Sequence, residues 1–231
     1  MALAAADGPP QELVATIAEQ GSLFEAERRQ YTYQQSFKLF EFHKGVPAGR
    51  YHEVREIIFN ADGERDEKFI KGPINNLKRL ILTEEDFRDL REVNPFVLTN
   101  DTLWRYTVKY KGTEALDGAD CYVYRVAPRQ VLDGQRFFEG VIWVSAEHRQ
   151  VVRVSGKPVP QLHRIENSNL FPGFTTFYEP VDGKFWFPVK TLVDDVLPFP
   201  SGGIRVKHEI EYSDYKRFGA ESTITFEPEG K

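Results

Sequence analysis

The chain contains very little sulfur. Among 231 residues it has one cysteine, Cys121, and one methionine. A single cysteine cannot form an internal disulfide, which excludes the framework of a small disulfide-stabilised domain. Cysteine is among the most buried residue types, and Cys121 begins the strand-like run 121–126. We therefore predict that Cys121 fills the core and is not a reactive thiol.

Long apolar runs and an excess of positive charge are also missing. No stretch approaches the roughly eighteen consecutive apolar residues that a transmembrane helix needs. Lys and Arg number 30 against 35 Asp and Glu, which gives a net charge of −5. A nucleic-acid-binding face or a polybasic membrane anchor would require the opposite balance. We expect a soluble globular protein with no nucleic acid partner and no transmembrane segment.

Patterns typical of catalytic, metal or cofactor sites are absent as well. The five histidines share no ligand spacing, and they are His43, His52, His148, His163 and His208. The chain has no Gly-x-Ser-x-Gly elbow, no Cys-x-x-Cys pair and no phosphate-binding glycine loop. Asp194 and Asp195 could hold calcium together with Asp182, but a solvated strand end explains them better. We predict no enzymatic activity, no cofactor and no metal.

Alternating aromatic and aliphatic residues are what the chain has in abundance. It contains 18 Phe and 10 Tyr, residue types that favour strands over helices. From residue 204 to 212, Ile204, Val206, Ile210 and Tyr212 alternate with charged residues, and His208 shares their face. Similar runs begin at Tyr31, at Tyr51, near residue 68 and repeatedly after Trp104. Asp-Gly pairs at 62–63, 117–118, 133–134 and 182–183 predict the turns between them.

Two regions show helical spacing instead. The first contains Leu13, Ile17 and Phe24, with Gly21 as the expected stop or break. The second is Pro73–Val93, where Thr83 has the features of a helix N-cap. We predict loops at His43–Arg50 and Lys157–Leu170.

Roughly ten strands cannot form one flat sheet, so the sheet must curl, split or close. The predicted fold class is mainly β (α+β): a strongly curved antiparallel half-open β-barrel whose helices cover the concave face. We predict a tail at residues 1–10 and a single domain at residues 11–231.

Three phrases carry a family resemblance, and they are residues 136–160, 178–199 and 204–219. They resemble the outer-membrane lipoprotein-sorting proteins, the LolA-like family, and most closely its branch in acidobacteria and their relatives. The resemblance extends over most of Tyr31–Phe226. It implies a half-barrel of about eleven strands, an apolar cavity that holds acyl chains, and export to the periplasm. Residues 1–10 are then the remnant of a removed signal peptide, the alternative being a disordered tail.

The resemblance and the aromatic content together predict an apolar ligand cavity. Its candidate lining residues are Phe69, Leu77, Ile81, Phe87, Leu90, Trp104, Trp143, Phe174, Phe177, Trp186 and Phe199. The predicted function is a periplasmic carrier that shelters a lipid or the acyl chains of a lipoprotein, with Pro73–Val93 as its gate. The alternative is an RseB-like regulatory or scaffold module. Such a module would bind an envelope protein partner through an edge strand and Lys157–Leu170.

Overall fold

The computed structural model describes residues 9–10, 12–60, 62–84, 86–87, 95–132, 135–160, 173–183, 185–199 and 202–217. Two helices lie wholly within these ranges, α1 (Leu13–Arg28) and α2 (Asn100–Leu103), and residues 84, 86 and 87 are also helical. The strands are β1 (Tyr31–His43), β2 (Val46–Phe59), β3 (Arg65–Asn75), β4 (Tyr106–Leu116), β5 (Ala119–Pro128), β6 (Phe137–Ser145), β7 (Val151–Val159), β8 (Phe174–Val181), β9 (Phe185–Leu197) and β10 (Ile204–Arg217).

All ten strands belong to one sheet in the order β3-β2-β1-β10-β9-β8-β7-β6-β5-β4. Every neighbouring pair is antiparallel. The sheet is curved and open, with β3 and β4 as its two edges, and the predicted fold class is confirmed. The division of the chain into a tail at 1–10 and one domain at 11–231 stays a prediction.

The connection between β3 and β4 is the most consequential feature of the topology. These strands are consecutive in the sequence but lie at opposite edges of the sheet. Flat, such a sheet would be about 43 Å wide, so residues 76–105 must travel across a whole face. Leu80, Phe96 and Leu98 of this connection are buried. The described parts of this connection and α1 therefore lie on the concave face of the sheet.

Period-two alternation forms the core, as predicted. In β1 the buried side chains include Tyr31, Tyr33, Phe37 and Leu39, while the residues between them are half-buried. In β10 the buried set is Ile204, Val206, His208, Ile210 and Tyr212. Burying each large apolar side chain contributes roughly 1.5–3 kcal/mol, so the concave face is the main source of stability.

Tight turns join several strands. Asp117-Gly118 has φ angles of 51° and 87°, and Asp182-Gly183 has 52° and 67°. Two successive positive φ values define the type I′ hairpin turn predicted from these Asp-Gly pairs. Lys44-Gly45 forms the same kind of turn, with φ angles of 50° and 82°. The predicted loop at His43–Arg50 is therefore wrong, since β1 reaches His43 and β2 begins at Val46.

The helical predictions were correct only in part. Gly21 does not stop the first helix, because α1 continues to Arg28. Pro73 lies in β3, and residues 76–83 form no helix. Thr83 does begin a helical turn: the Asp86 N–H donates to Thr83 Oγ1 at 3.3 Å, and the Thr83 N–H donates to the Asp86 carboxylate at 2.7 Å.

Other predictions fall on the boundaries of the described residues. The segment predicted as the loop Lys157–Leu170 begins inside β7, which extends to Val159. The remainder of that segment from residue 161, the predicted turn at 133–134 and the predicted helical residues 88–93 lie outside the described ranges.

Candidate functional site on the concave face

An apolar crevice lies between α1, residues 96–98 and the inner faces of β6 to β9. Its volume is about 40 Å³. Its apolar walls include Ile17, Phe24, Ile142, Val154, Tyr178 and Trp186. At its rim, Gln150 Nε2 donates a hydrogen bond to Gln20 Oε1 at 3.0 Å. The crevice is thus lined mainly by apolar side chains and bridged at its rim by one pair of amides.

Close packing of Phe96 explains why the crevice is small. The Phe96 ring stacks on Phe138 with centroids 4.2 Å apart and meets Tyr106 edge-on at 5.4 Å. Tyr178 OH donates to the Phe96 carbonyl at 2.8 Å. Pockets for small molecules usually measure roughly 300–1,000 Å³. This half of the concave face is therefore covered, and an acyl chain can enter only if the cover moves.

Gly21 allows α1 to lie directly on residues 96–98. A Cβ atom at this position would stand 2.0 Å from the Leu98 carbonyl oxygen. Only glycine permits this approach of helix to backbone. The helical spacing predicted that Gly21 would stop or break the helix, whereas in the structure it permits close packing.

The other half of the concave face, over β1 to β3, carries charged side chains among its buried apolar ones. Arg55 Nε lies 2.8 Å from the Glu53 carboxylate, and Arg55 also pairs with Glu67. Arg65 Nε lies 2.8 Å from Glu67. Burial raises the pKa of Glu67, but the charges and hydrogen bonds of Arg65 and Arg55 outweigh it and hold that pKa below its usual value. These four side chains form one continuous ion-pair row.

Aromatic side chains cover this row. The Arg55 guanidinium lies 4.4 Å from the centre of the Phe69 ring and 5.6 Å from that of Phe87. Phe87 also packs against Tyr51 at 6.1 Å between centroids. Both arginine–aromatic distances are within the range of cation–π attraction. The chain around Phe87 is therefore held to the sheet partly by charge.

Glu41 binds residues 78–80, which precede Phe87 in the sequence, to the sheet. Its side chain points to the concave face of β1, and the residue is only 1% exposed. Its carboxylate accepts hydrogen bonds from the backbone N–H groups of Lys78, Arg79 and Leu80, the last two at 3.1 Å. A buried carboxylate is tolerated only with such partners. We call residues 76–83 the strap.

Six of the predicted cavity residues lie on the concave face or pack in or against the main core. Phe69 occupies a concave-face position in register with Arg55 but is half exposed. Phe174 is buried, 5.8 Å from Phe138 between centroids. The others pack, partly buried, against the main core, and they are Leu77, Phe87, Trp186 and Phe199. Ligand contact by these residues stays a prediction.

The other predicted cavity residues do not join them. Trp143 and Phe177 flank Arg153 on the convex face, because the strand register pairs Trp143 with Arg153 and Arg153 with Phe177. The guanidinium lies 4.7 Å from the Trp143 ring centre and 5.6 Å from that of Phe177. Ile81 is 77% exposed and Trp104 67% exposed, so neither lines an enclosed space. Leu90 lies outside the described residues.

His208, Cys121 and Asp194 have surroundings that are typical of structural residues. His208 is buried, its ring 5.6 Å from that of Phe37, and burial lowers its pKa to about 3. Burial also raises the pKa of the Cys121 thiol. Asp194 accepts hydrogen bonds from Arg205, both at 3.0 Å. Within the described ranges, no three His, Cys, Asp or Glu residues are grouped as metal ligands.

No helix in the described part of the chain combines the length and the apolar content that crossing a membrane would need.

Neither a protein-family profile nor a curated protein matches the chain. Several solved structures are similar to it. A DUF1329 family protein from Desulfovibrio piger is 14% identical, with a TM-score of 0.46 and coverage of 94% of this chain and 96% of that one. A LolA superfamily protein from Nitrosomonas europaea is 16% identical, with a TM-score of 0.42 and coverage of 88% and 93%.

A putative outer membrane lipoprotein-sorting protein domain from Vibrio parahaemolyticus is 11% identical to the chain. Its TM-score is 0.41, with coverage of 91% of this chain and 95% of that one. The assignment to the acidobacterial branch stays a prediction. Solved structures described as LolA superfamily and lipoprotein-sorting proteins are thus among those similar to this chain.

Proposed function

We propose that this protein is a non-enzymatic periplasmic carrier that holds an acyl chain of a lipid or lipoprotein against its concave face. One observation carries the proposal. The apolar half of that face is covered by α1 and residues 96–98, which are separate from the sheet, and a crevice already lies between cover and sheet. A cover that is not part of the sheet can move away while the sheet keeps its hydrogen bonds.

The energetics support an apolar ligand. Burying one methylene group contributes roughly 0.8 kcal/mol, so a chain of a dozen carbons would gain on the order of 10 kcal/mol. Part of this gain is lost in displacing the cover and ordering the chain. What remains suffices for useful affinity without any charged contact. The crevice, where Trp186 stands at the edge of the core, is the place where entry begins.

Lipid extraction and a binding titration test the proposal. Native mass spectrometry of the purified protein should detect bound lipid. The fluorescent probe N-phenyl-1-naphthylamine should bind and be displaced by palmitate. Trp186→Ala should weaken probe binding several-fold, because Trp186 lines the crevice. The matched control is Trp143→Ala, an aromatic residue on the convex face.

Two results would contradict the carrier proposal. Absence of bound lipid together with absence of probe binding would exclude it. Equal loss of binding in the Trp186 and Trp143 variants would place the ligand elsewhere.

An RseB-like partner-binding module is the second candidate, and the edge strand β3 favours it. Phe69 is 50% exposed and Ile70 52% exposed, although they point to opposite faces of this strand. An unpaired edge with apolar side chains can accept a partner strand. Against it, Lys68, Lys71 and Pro73 are residues that protect edges from pairing.

A pull-down from a periplasmic extract separates the two candidates. A stoichiometric protein partner that is lost in Ile70→Lys, with no lipid in the purified protein, would favour the module. Bound lipid without such a partner favours the carrier.

A further inference from the structure

The strap is hydrogen-bonded to the sheet at a buried carboxylate. Three consecutive backbone N–H groups, those of residues 78 to 80, converge on the Glu41 carboxylate. Such an arrangement of successive N–H groups forms a concave anion site. Here a side chain of the protein itself occupies the site, and the pairing spans 37 to 39 residues of sequence.

We propose that Glu41 is a latch: its hydrogen bonds hold the strap closed over the concave face and set the fraction of molecules that are open to ligand. This inference rests on the proposed carrier function and names the residue that regulates it. When only a fraction of a protein is competent to bind, the apparent Kd rises by the inverse of that fraction. A latch residue therefore weakens binding, and its removal strengthens binding.

Apolar contacts also hold the strap. Leu80 is buried, Leu77 and Leu82 are partly buried and pack against the main core, and Ile81 is 77% exposed. Hydrogen bonds to a charged group are about twice as strong as neutral ones, and they are lost together when the strap leaves. The strap can therefore leave the sheet only when all three hydrogen bonds to Glu41 break.

Both ends of the strap are fixed independently of Glu41. At one end the Asn76 N–H donates to the Arg50 carbonyl at 3.0 Å, and the Arg50 N–H donates to Asn76 Oδ1 at 2.7 Å. At the other end Thr83 caps the helical turn that leads to Phe87. Residues 77–82 can therefore lift away between two fixed points.

Gly49 provides a second way to reach the latch. A Cβ atom at Gly49 would stand 2.6 Å from Glu41 Oε1 and 2.8 Å from the Asn76 carbonyl oxygen. Gly49→Ala should therefore push the carboxylate and the strap apart without changing a charge. It is a variant of different chemistry that acts on the same contact.

Hydrogen exchange tests the latch without any ligand. In Glu41→Gln the side chain keeps one acceptor oxygen but loses its charge and the second acceptor. We expect the amides of residues 78–80 to exchange at least tenfold faster in Glu41→Gln and faster in Gly49→Ala. The control is Glu209→Gln, which removes a carboxylate paired with Lys38 and Lys190 on the convex face. Its exchange at residues 78–80 should match that of the unmodified protein.

A titration with N-phenyl-1-naphthylamine completes the test. The apparent Kd for the probe should fall about three- to tenfold in Glu41→Gln and should not change in Glu209→Gln. Unchanged exchange at residues 78–80, equally faster exchange throughout the strands, or weaker probe binding in Glu41→Gln would each overturn the latch. Faster exchange confined to the strap, with no probe binding by any protein including the unmodified one, would keep the fastening role and refute the carrier function.

Discussion

The two halves of the concave face are covered in different ways. Over β6 to β9, the cover is apolar: Phe96 stacks on Phe138, and Gly21 brings α1 onto the Leu98 backbone. Over β1 to β3, the cover is held partly by charge, through Glu41 to the strap and through Arg55 to Phe87.

This difference bears on two separate tasks, which are holding a ligand and controlling its access. Apolar packing is non-directional, so an apolar ligand can replace the cover's contacts with similar ones. Hydrogen bonds and ion pairs are directional, and a buried charge that loses its partner costs several kcal/mol. In the proposed function, the apolar half holds the chain and the charged half controls when the face opens.

The largest effect is expected from truncation in the apolar half. Phe138→Ala should lower the free energy of unfolding by about 3–5 kcal/mol, because it removes a fully buried ring that stacks on Phe96. Phe177→Ala, a matched truncation on the convex face, should cost about 1 kcal/mol or less, since Phe177 is only half-buried and lies beside Arg153. Urea denaturation measures both values. Equal losses would mean that the two faces contribute alike.

A pH dependence is expected at the boundary of the two halves. His208 is buried beside Phe37 with a pKa near 3 in the folded state, against about 6.5 when unfolded. Below pH 6.5 the unfolded chain gains the proton first, so stability falls by about 1.4 kcal/mol per pH unit, or about 3 kcal/mol at pH 4.5. His208→Leu should remove this part of the acid dependence. Urea unfolding at pH 7 and pH 4.5 tests it, and parallel slopes in both proteins would contradict it.

Breaking the ion-pair row is expected to have the next largest effect. Arg55→Met leaves the buried Glu53 carboxylate without its arginine and should cost about 2–3 kcal/mol, less than a fully buried pair because a fifth of the Arg55 side chain is exposed. A double-mutant cycle of Arg55→Met with Glu53→Gln should give an Arg55–Glu53 coupling energy of about 1 kcal/mol or more. Between 0.1 and 1 M NaCl the Arg55–Glu53 coupling should shrink, whereas the cost of Phe138→Ala should not change. A coupling near zero would mean that charge does not hold this half.

Strand structure was predictable from the sequence because it depends on local alternation and turn chemistry. The residues of β10 show their buried face directly, and Asp117-Gly118 and Asp182-Gly183 fix two hairpins. The course of residues 76–83 was not predictable in the same way. Their apolar residues recur at helical spacing, but the strap follows the Glu41 carboxylate, which comes from a strand 37 residues earlier.

The candidate site was less predictable than the fold. Assigning aromatic residues to one cavity requires knowing which face each one occupies. Trp143 and Phe177 fall on the convex face because Ile142 and Tyr178, their neighbours in sequence, take the concave one. Alternation could have shown this, since a one-residue offset reverses the face. The role of Glu41 had only a weak indication, a carboxylate in register with buried aromatic residues.

The smallest effect is expected where α1 packs against residues 96–98. Gly21→Ala places a Cβ atom 2.0 Å from the Leu98 carbonyl oxygen, so α1 must shift away from residues 96–98. Overpacking of this kind costs about 1–3 kcal/mol, and the better helix propensity of alanine offsets up to about 1 kcal/mol of it. The net loss should be about 1–2 kcal/mol in urea unfolding. The control Gly72→Ala, with no atom within 4 Å of its Cβ position, should change stability by no more than about 0.5 kcal/mol. Because the shift widens the crevice, N-phenyl-1-naphthylamine should bind Gly21→Ala at least as tightly as it binds the unmodified protein. Weaker binding would mean that α1 forms part of the ligand site and does not merely cover it.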